Sequence, residues 1–375
     1  MRRSVKPLQM QTNTTRGFAA AGEYRFMPLQ LAVDARVVVE DTRGIGRYAR
    51  AILRRLAVRD DIALTLLARG PFAFRHRAAY ERALGSPRFE LRSNPGKAAV
   101  IWHPANGTFF PSALPSVATI HDAVPFRYTD PDPKRRAHAQ EPFLRSARSA
   151  ARVVAVSQFG RSEIHDVFGV PLDRIVTIHH GVEPSFSPGT AQPLPPGVTA
   201  GRYLLFVGDP IGEPRKNFDM LYEAYRRAWP AGDGPALVVA GPRAPERAGV
   251  VHAGNLGDDL TSSTNAALRA LYRGAIALTM ASYHETFGMP MVEAMACGTP
   301  VLASGASCLP EILGAAGLYA PPADPGLWAE NLRQIARDAA LRDRLRVAGL
   351  YRATHFNWDE SAERHAALFA EVAGA

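Results

Sequence analysis

Two rhythms of apolar residues alternate along this 375-residue chain. Short Val-, Ile- and Leu-rich runs, each about one strand long, are separated by stretches whose apolar positions recur at helical spacing. From Leu29 the short runs are LQLAVDARVVV, IALTLLA, AAVIW, SVATIH, RVVAVS and RIVTIHH, and each reads as one strand. Between them, GIGRYARAILRRL repeats Ile45, Tyr48, Ile52, Leu53 and Leu56 at helical spacing, and helices are predicted over 73–84, 134–149 and 159–168. The stretch SPGTAQPLPPGVTAG, 187–201, breaks the rhythm with four prolines and three glycines and reads as a linker. Alternation then resumes with strands YLLFVG, ALVVAG, VVHAG, AIALTM and PVLAS and helices over 217–229, 263–273, 290–297, 325–349 and 358–374. Near-continuous apolar strands divided by helices predict parallel sheets covered on both faces. The expected architecture is therefore α/β, with two Rossmann-like α/β/α domains facing a cleft. Its predicted boundaries are an extension over 1–27, domains over 28–187 and 202–350 joined by 188–201, and a closing helix over 351–375 that packs back on the first domain.

Composition narrows the classes. The apolar fraction of 47% suffices for two ordinary cores. Two cysteines provide no disulfide framework, and Cys297, in an apolar stretch, reads as a buried thiol suited to a reducing compartment. No transmembrane run or signal-peptide core is visible, so a cytoplasmic protein is expected. The extension holds Arg2, Arg3, Lys6, Arg16 and Arg25 against Glu23 and reads as a disordered or over-extended start, with a contact to a partner or to the inner face of a membrane as the other reading. A net charge of +9 raises the question of nucleic acid. Basic residues are scattered and form no stripe interleaved with aromatics, so anionic small molecules suit the charge better.

Parallel sheets bind ligands beyond the carboxyl ends of their strands. After the first strand, Gly44 and Gly46 permit a tight turn or close approach to a ligand, although Ala49 breaks the dinucleotide pattern. Another strand ends in His121-Asp122, which suits either a sugar hydroxyl or a structural pair. In the second half Gly208 closes a strand, and Arg215-Lys216 follow at a helix start, where cations are unfavourable unless an anion offsets them. That pattern points to a pyrophosphate clamp. The segment HETFGMPMVEAMACGTPV then sets Glu285 in a loop and Glu293 inside a helix, with the amides of Phe287, Gly288 and Met289 between them. Such a site suits a polyol phosphate. It has too few ligands for a two-metal centre, while a glycosidase-like carboxyl pair stays open on spacing alone.

The ordered series GIGRYARAILRRL, HDAVPF, VAVSQFGRSEIHDVFGVPLDRIVTIHHGVEPSF, PRKNFDMLYEAY and ETFGMPMVEAMACGTPV resembles the retaining glycosyltransferases of the GT-B fold, family 4 (group 1), with its bacterial mannosyl and hexosyl transferases. The resemblance runs from about Leu29 to the C-terminus. It implies a nucleotide-sugar donor in the second domain and an acceptor in the first, with no metal and no further cofactor required. GDP-mannose is the favoured donor and a UDP-sugar the other candidate. The acceptor is a glycan, a lipid-linked or a small-molecule hydroxyl. The resemblance places Glu285 near the donor sugar, Glu293 near the ribose, Arg215 and Lys216 on the diphosphate, Gly44 and Gly46 close to it on domain closure, and His121 near the transferred sugar. Departures stand at Asp209, where an arginine is common, at Thr286 in the usual E-G-F-G, and at His179-His180-Gly181 in place of P-N-G. A nucleotide-sugar epimerase and a non-catalytic sugar-nucleotide scaffold are the competing readings.

Overall fold

The computed structural model describes residues 27–41, 44–68, 76–110, 112–256 and 265–374. The basic extension and part of the predicted helix 73–84 lie outside these residues. Within them, the chain forms two wholly parallel sheets flanked by helices. The first contains β1 (Leu29–Asp34), β2 (Ile62–Leu67), β3 (Glu90–Arg92), β4 (Val100–His103), β5 (Ser116–Ile120), β6 (Arg152–Ala155) and β7 (Ile175–Thr177), in the order β3-β2-β1-β4-β5-β6-β7. The second contains β8 (Tyr203–Val207), β9 (Ala236–Ala240), β10 (Val250–Gly254), β11 (Ala277–Met280), β12 (Val301–Ser304) and β13 (Gly317–Ala320), in the order β10-β9-β8-β11-β12-β13. This is the expected fold class. Each sheet reverses its strand order once, at β1/β4 and at β8/β11, which opens a crevice at the carboxyl ends there.

Central strands are apolar on both faces because helices cover both. All residues of β4, β5, β11 and β12 are buried. The strand predicted over LQLAVDARVVV is shorter: β1 ends at Asp34, and Arg36–Glu40 forms a separate short helix. Arg36 Nε reaches Asp34 Oδ1 at 3.0 Å, and Val38 turns into the core. The apolar run is thus divided between two elements that periodicity over so few residues does not separate. Strands β3 and β13 were not predicted, being three and four residues long with polar or half-buried positions. The predicted helix 325–349 is two helices, Pro325–Arg337 and Ala339–Ala353. Asp338 breaks it, its side chain accepting from the Leu341 amide as an N-cap. The second of these helices runs to Ala353, so residues 351–353 belong to it, and the closing helix is Trp358–Gly374, the span that periodicity predicts.

The closing helix Trp358–Gly374 lies on the first sheet's side. Trp358, Ala362, Ala366, Phe369 and Val372 join the core built from β1, β4 and the helix Gly44–Leu56. Chain order and domain membership therefore part company: the C-terminus supplies the N-terminal core. Close packing fixes that crossover at Gly181, where a Cβ would stand 2.2 Å from the Trp358 backbone nitrogen. Among the described residues no helix is long and apolar enough to cross a membrane.

Candidate active site

The loops after β8 and β11 are stitched into one surface. Tyr283 N donates to Arg215 O at 2.8 Å, and Arg215 Nη1 donates to His284 O at 3.2 Å. On this surface the Glu285 carboxylate bridges two cations, with Lys216 Nζ 3.0 Å from Oε1 and Arg215 Nη1 3.1 Å from Oε2. Ser282 Oγ donates to the same carboxylate at 3.0 Å, and the Glu285 amide donates to Ser307 Oγ at 3.0 Å. Burial pushes the Glu285 carboxyl up, but Lys216 and Arg215 outweigh it and hold the group down to about 2. It is an anion at every pH at which the fold is expected to work.

Gly208 makes this arrangement possible. Its φ is +143°, and a Cβ there would lie 2.5 Å from Lys216 Cδ and 2.6 Å from Cε. Only glycine lets the lysine stem cross the end of β8. The misfit of two cations before the helix Phe218–Ala228 has an explanation internal to the chain. Arg215 and Lys216 occupy a 3₁₀ turn, Pro214–Lys216, and face Glu285 and also Glu213, at 3.2 Å from Arg215 and 3.8 Å from Lys216. Carboxylates of the protein already balance them.

Glu293 has partners of its own. It is 1% exposed, in the helix Met289–Cys297, which Gly288 opens with φ +82° and which has Pro290 in its first turn. Tyr272 Oη donates to Glu293 Oε2 at 2.9 Å, and Arg47 of the first domain forms an ion pair with Oε1. Thus the structure brings Arg215, Lys216 and Glu285 together, while Glu293 is linked across to the glycine turn. Phe287 is buried, its ring 4.7 Å from that of His180. At the turn itself a Cβ on Gly46 would fall 1.8 Å from Asp41 O, whereas one on Gly44 meets nothing within 4 Å among the described residues.

The first domain contributes an aromatic and imidazole wall. His121 is buried, with Nε2 2.8 Å from Pro104 O, and burial lowers its pKa. It is not paired with its neighbour: Asp122 accepts from Val124 N at 3.0 Å and from Asn106 Nδ2 at 3.4 Å. Tyr48 packs edge-on to His121 at 4.8 Å and stacks on His180 at 4.9 Å. Its hydroxyl donates to His365 Nε2 at 2.6 Å, since His365 Nδ1 donates to Ser361 O at 2.7 Å, and it lies 3.0 Å from Thr119 Oγ1. Burial lowers the pKa of His180 well below its ordinary value and that of His365 to about 4.

The two walls touch at several points that sequence reasoning did not find. His284 Nε2 lies 2.8 Å from Glu163 Oε1, Ser157 Oγ donates to Thr286 O at 2.6 Å, and Glu311 accepts from the amides of Gln158 at 2.8 Å and Phe159 at 3.0 Å. Glu311 caps a helix of the opposite domain, and Ser304 donates to Ser282 O at 2.5 Å, so these residues hold loops. Arg47 and His284 directly follow Gly46 and precede Glu285, and that adjacency was the available signal. Their partners lie too far away in sequence for spacing to reveal them. Among the described residues no group of three or more His, Cys, Asp or Glu side chains is arranged as a metal site.

Comparison with known proteins sets this geometry in a family. The family model described as Glycosyltransferase Family 4 matches residues 42–186, and that described as Glycosyl transferases group 1 matches 201–338, so the two between them take in most of both domains. The chain belongs to the GT-B glycosyltransferases of family 4 (group 1). Among curated relatives of this glycosyltransferase, O-antigen chain mannosyltransferase B of Escherichia coli is 29% identical over 368 aligned positions, covering 84% of this chain and 93% of that protein. Among solved structures, sucrose-phosphate synthase of Thermosynechococcus elongatus superposes with a TM-score of 0.63 at 19% identity, over 92% of this chain and 99% of that one. Anabaena HepE, solved with UDP-glucose, has a TM-score of 0.63 at 16% identity, over 91% and 99% of the two chains. At such identities the superpositions establish the glycosyltransferase's fold.

Proposed function

We propose that this glycosyltransferase moves a hexosyl group, mannosyl by preference, from a nucleoside-diphosphate sugar to a hydroxyl of a glycan, a lipid-linked or a small-molecule acceptor, with retention at the anomeric carbon. Residues 202–350 hold the donor and 28–187 the acceptor. The observation that carries the reading is the Glu285 carboxylate held between Arg215 and Lys216 at the crevice where β8 and β11 diverge. An oriented anion beside two cations suits a sugar diphosphate: the carboxylate accepts sugar hydroxyls, and the cations stabilise charge growing on the departing phosphate. Amides at Phe287, Gly288 and Met289 add donors at a helix start. Glu293 accepts ribose hydroxyls, while His121 faces the transferred sugar.

Transfer proceeds by front-face attack, with the leaving phosphate taking the acceptor proton as the anomeric carbon gains oxocarbenium character. The contacts of His284, Thr286 and Glu311 with the first domain favour a closed cleft that excludes water and limits donor hydrolysis. Mannose is favoured by the kinship with the Escherichia coli mannosyltransferase, and GDP-mannose is accordingly the first donor to try, with UDP-sugars next. The enzyme works in the cytoplasm, with peripheral contact at the inner membrane face when the acceptor is lipid-linked.

A thermal-shift screen of GDP- and UDP-sugars, followed by acceptor trials with the best donor, tests this reading. Saturable stabilisation and an α-linked product from an α-linked donor are expected. A product of opposite anomeric configuration would overturn retention. Conversion of the donor sugar without any acceptor would replace transfer by epimerisation.

A further inference from the structure

We infer that Arg47 is the cation of the first domain that meets the donor's diphosphate, exchanging its contact with Glu293 for the phosphate while the ribose hydroxyls take its place on Glu293. The inference rests on the donor reading above and adds a residue that reading lacks. Charge balance leads to it. Arg215 and Lys216 already face Glu285 and Glu213, and Asp122 also acts electrostatically on Arg215. A diphosphate entering this crevice meets no net positive charge from those five groups, and bringing an anion out of water into such a place is unfavourable.

Neighbouring cations are committed to fixed partners. Arg50 holds Val38 O at 3.1 Å and Asp41 O at 2.7 Å, Arg36 holds Asp34, Arg127 holds Glu163 and Arg243 holds Asp209. Arg47 differs in place and in partner. It extends from the first turn of the helix Gly44–Leu56, beside the glycine whose missing side chain brings the Asp41 carbonyl against the helix, and it crosses to the second domain. Its charge reaches His180, whose ring packs on Phe287 of the loop that carries Glu285. Glu293 retains the Tyr272 hydroxyl at 2.9 Å, so releasing Arg47 does not leave this buried carboxylate bare. A ribose diol supplies the donors that replace the guanidinium. The exchange therefore conserves the hydrogen bonds of Glu293 and delivers one positive charge to the phosphates.

Calorimetric titration of the full chain with a nucleoside and with its diphosphate, guanosine and GDP or uridine and UDP, tests the inference. Arg47→Ala is expected to weaken the diphosphate about 10- to 100-fold, as for loss of a hydrogen bond to a charged group, and to leave the nucleoside unchanged or tighter. Arg47→Lys, which keeps the charge and guards against misfolding, should recover part of the diphosphate affinity. Equal weakening of both ligands would make Arg47 a mere domain clasp and overturn the inference, as would unchanged diphosphate binding in Arg47→Ala. If the unsubstituted protein binds no nucleoside diphosphate, the donor reading itself falls and the inference with it.

Discussion

The two walls of the cleft solve the burial of polar groups in opposite ways. On the second-domain wall, fixed charges face one another: Arg215 and Lys216 against Glu285 and Glu213. On the first-domain wall, Tyr48, His121, His180 and His365 are packed so tightly that burial keeps the imidazoles neutral. A charged wall is suited to an anionic donor that must be gripped through bond breaking. Apart from Arg47, which crosses to Glu293, the surface around these neutral rings is suited to a hydroxyl acceptor, which needs shape and weak hydrogen bonds. The difference shows that a cleft between two similar sheets takes its chemistry from the loops and helices around the strands, not from the strands.

The sharpest way to break this contrast is Lys216→Ala. Transfer should fall about 100- to 1,000-fold in kcat, as when one preorganised transition-state donor is removed. Unchanged single-turnover rates in a folded variant would dismiss the charged wall as a donor grip. Glu285→Gln should come next. It keeps the shape but leaves buried Lys216 and half-buried Arg215 poorly matched, so kcat/KM should drop about 100-fold across donors and the variant should melt earlier. Gly208→Ala reaches the same wall without touching a charge: the new Cβ displaces the Lys216 stem, and the diphosphate contribution to binding should weaken while nucleoside binding persists. Equal affinities in that variant and the parent would show the lysine stem to be freer than its packing implies.

On the neutral wall effects should be smaller and should appear in stability. Tyr48→Phe removes the donor to His365 Nε2 and is expected to cost about 1–3 kcal/mol in chemical unfolding. An unaltered unfolding midpoint would show that this hydroxyl is not needed there. The walls should also separate with pH. His365 has an ordinary value of 6.5 and a folded value of about 4, so between these the unfolded chain binds more protons than the folded one. Its contribution is present above pH 6.5 and fades as pH falls towards 4. The Glu285 contribution is present above the ordinary carboxyl value of 4.5 and fades only towards 2. Stability should therefore decline from pH 6.5 to 4, with a shallower slope in His365→Gln, before Glu285 loses its charge. Parallel unfolding curves for the parent and that variant would refute the buried-imidazole account.

The alternation of strands and helices, both β/α series and the proline-rich passage between them were legible because burial on two faces forces apolar runs that local periodicity reveals. Lys216 could be singled out because a cation before a helix violates local preference, and Glu285 because it lies in a loop beyond the carboxyl end of a strand, where parallel sheets bind ligands. Their pairing could not be read, since it joins residues 69 positions apart. The same holds for Arg47 with Glu293, 246 positions apart, and for Tyr48 with His365, 317 apart. Local sequence determined which elements form and which residues are out of place in them, because propensity, capping and amphipathic spacing act over a few residues. Which charges neutralise one another and which histidines are kept neutral were decided only by the tertiary structure, because Coulomb forces and desolvation depend on distance through space.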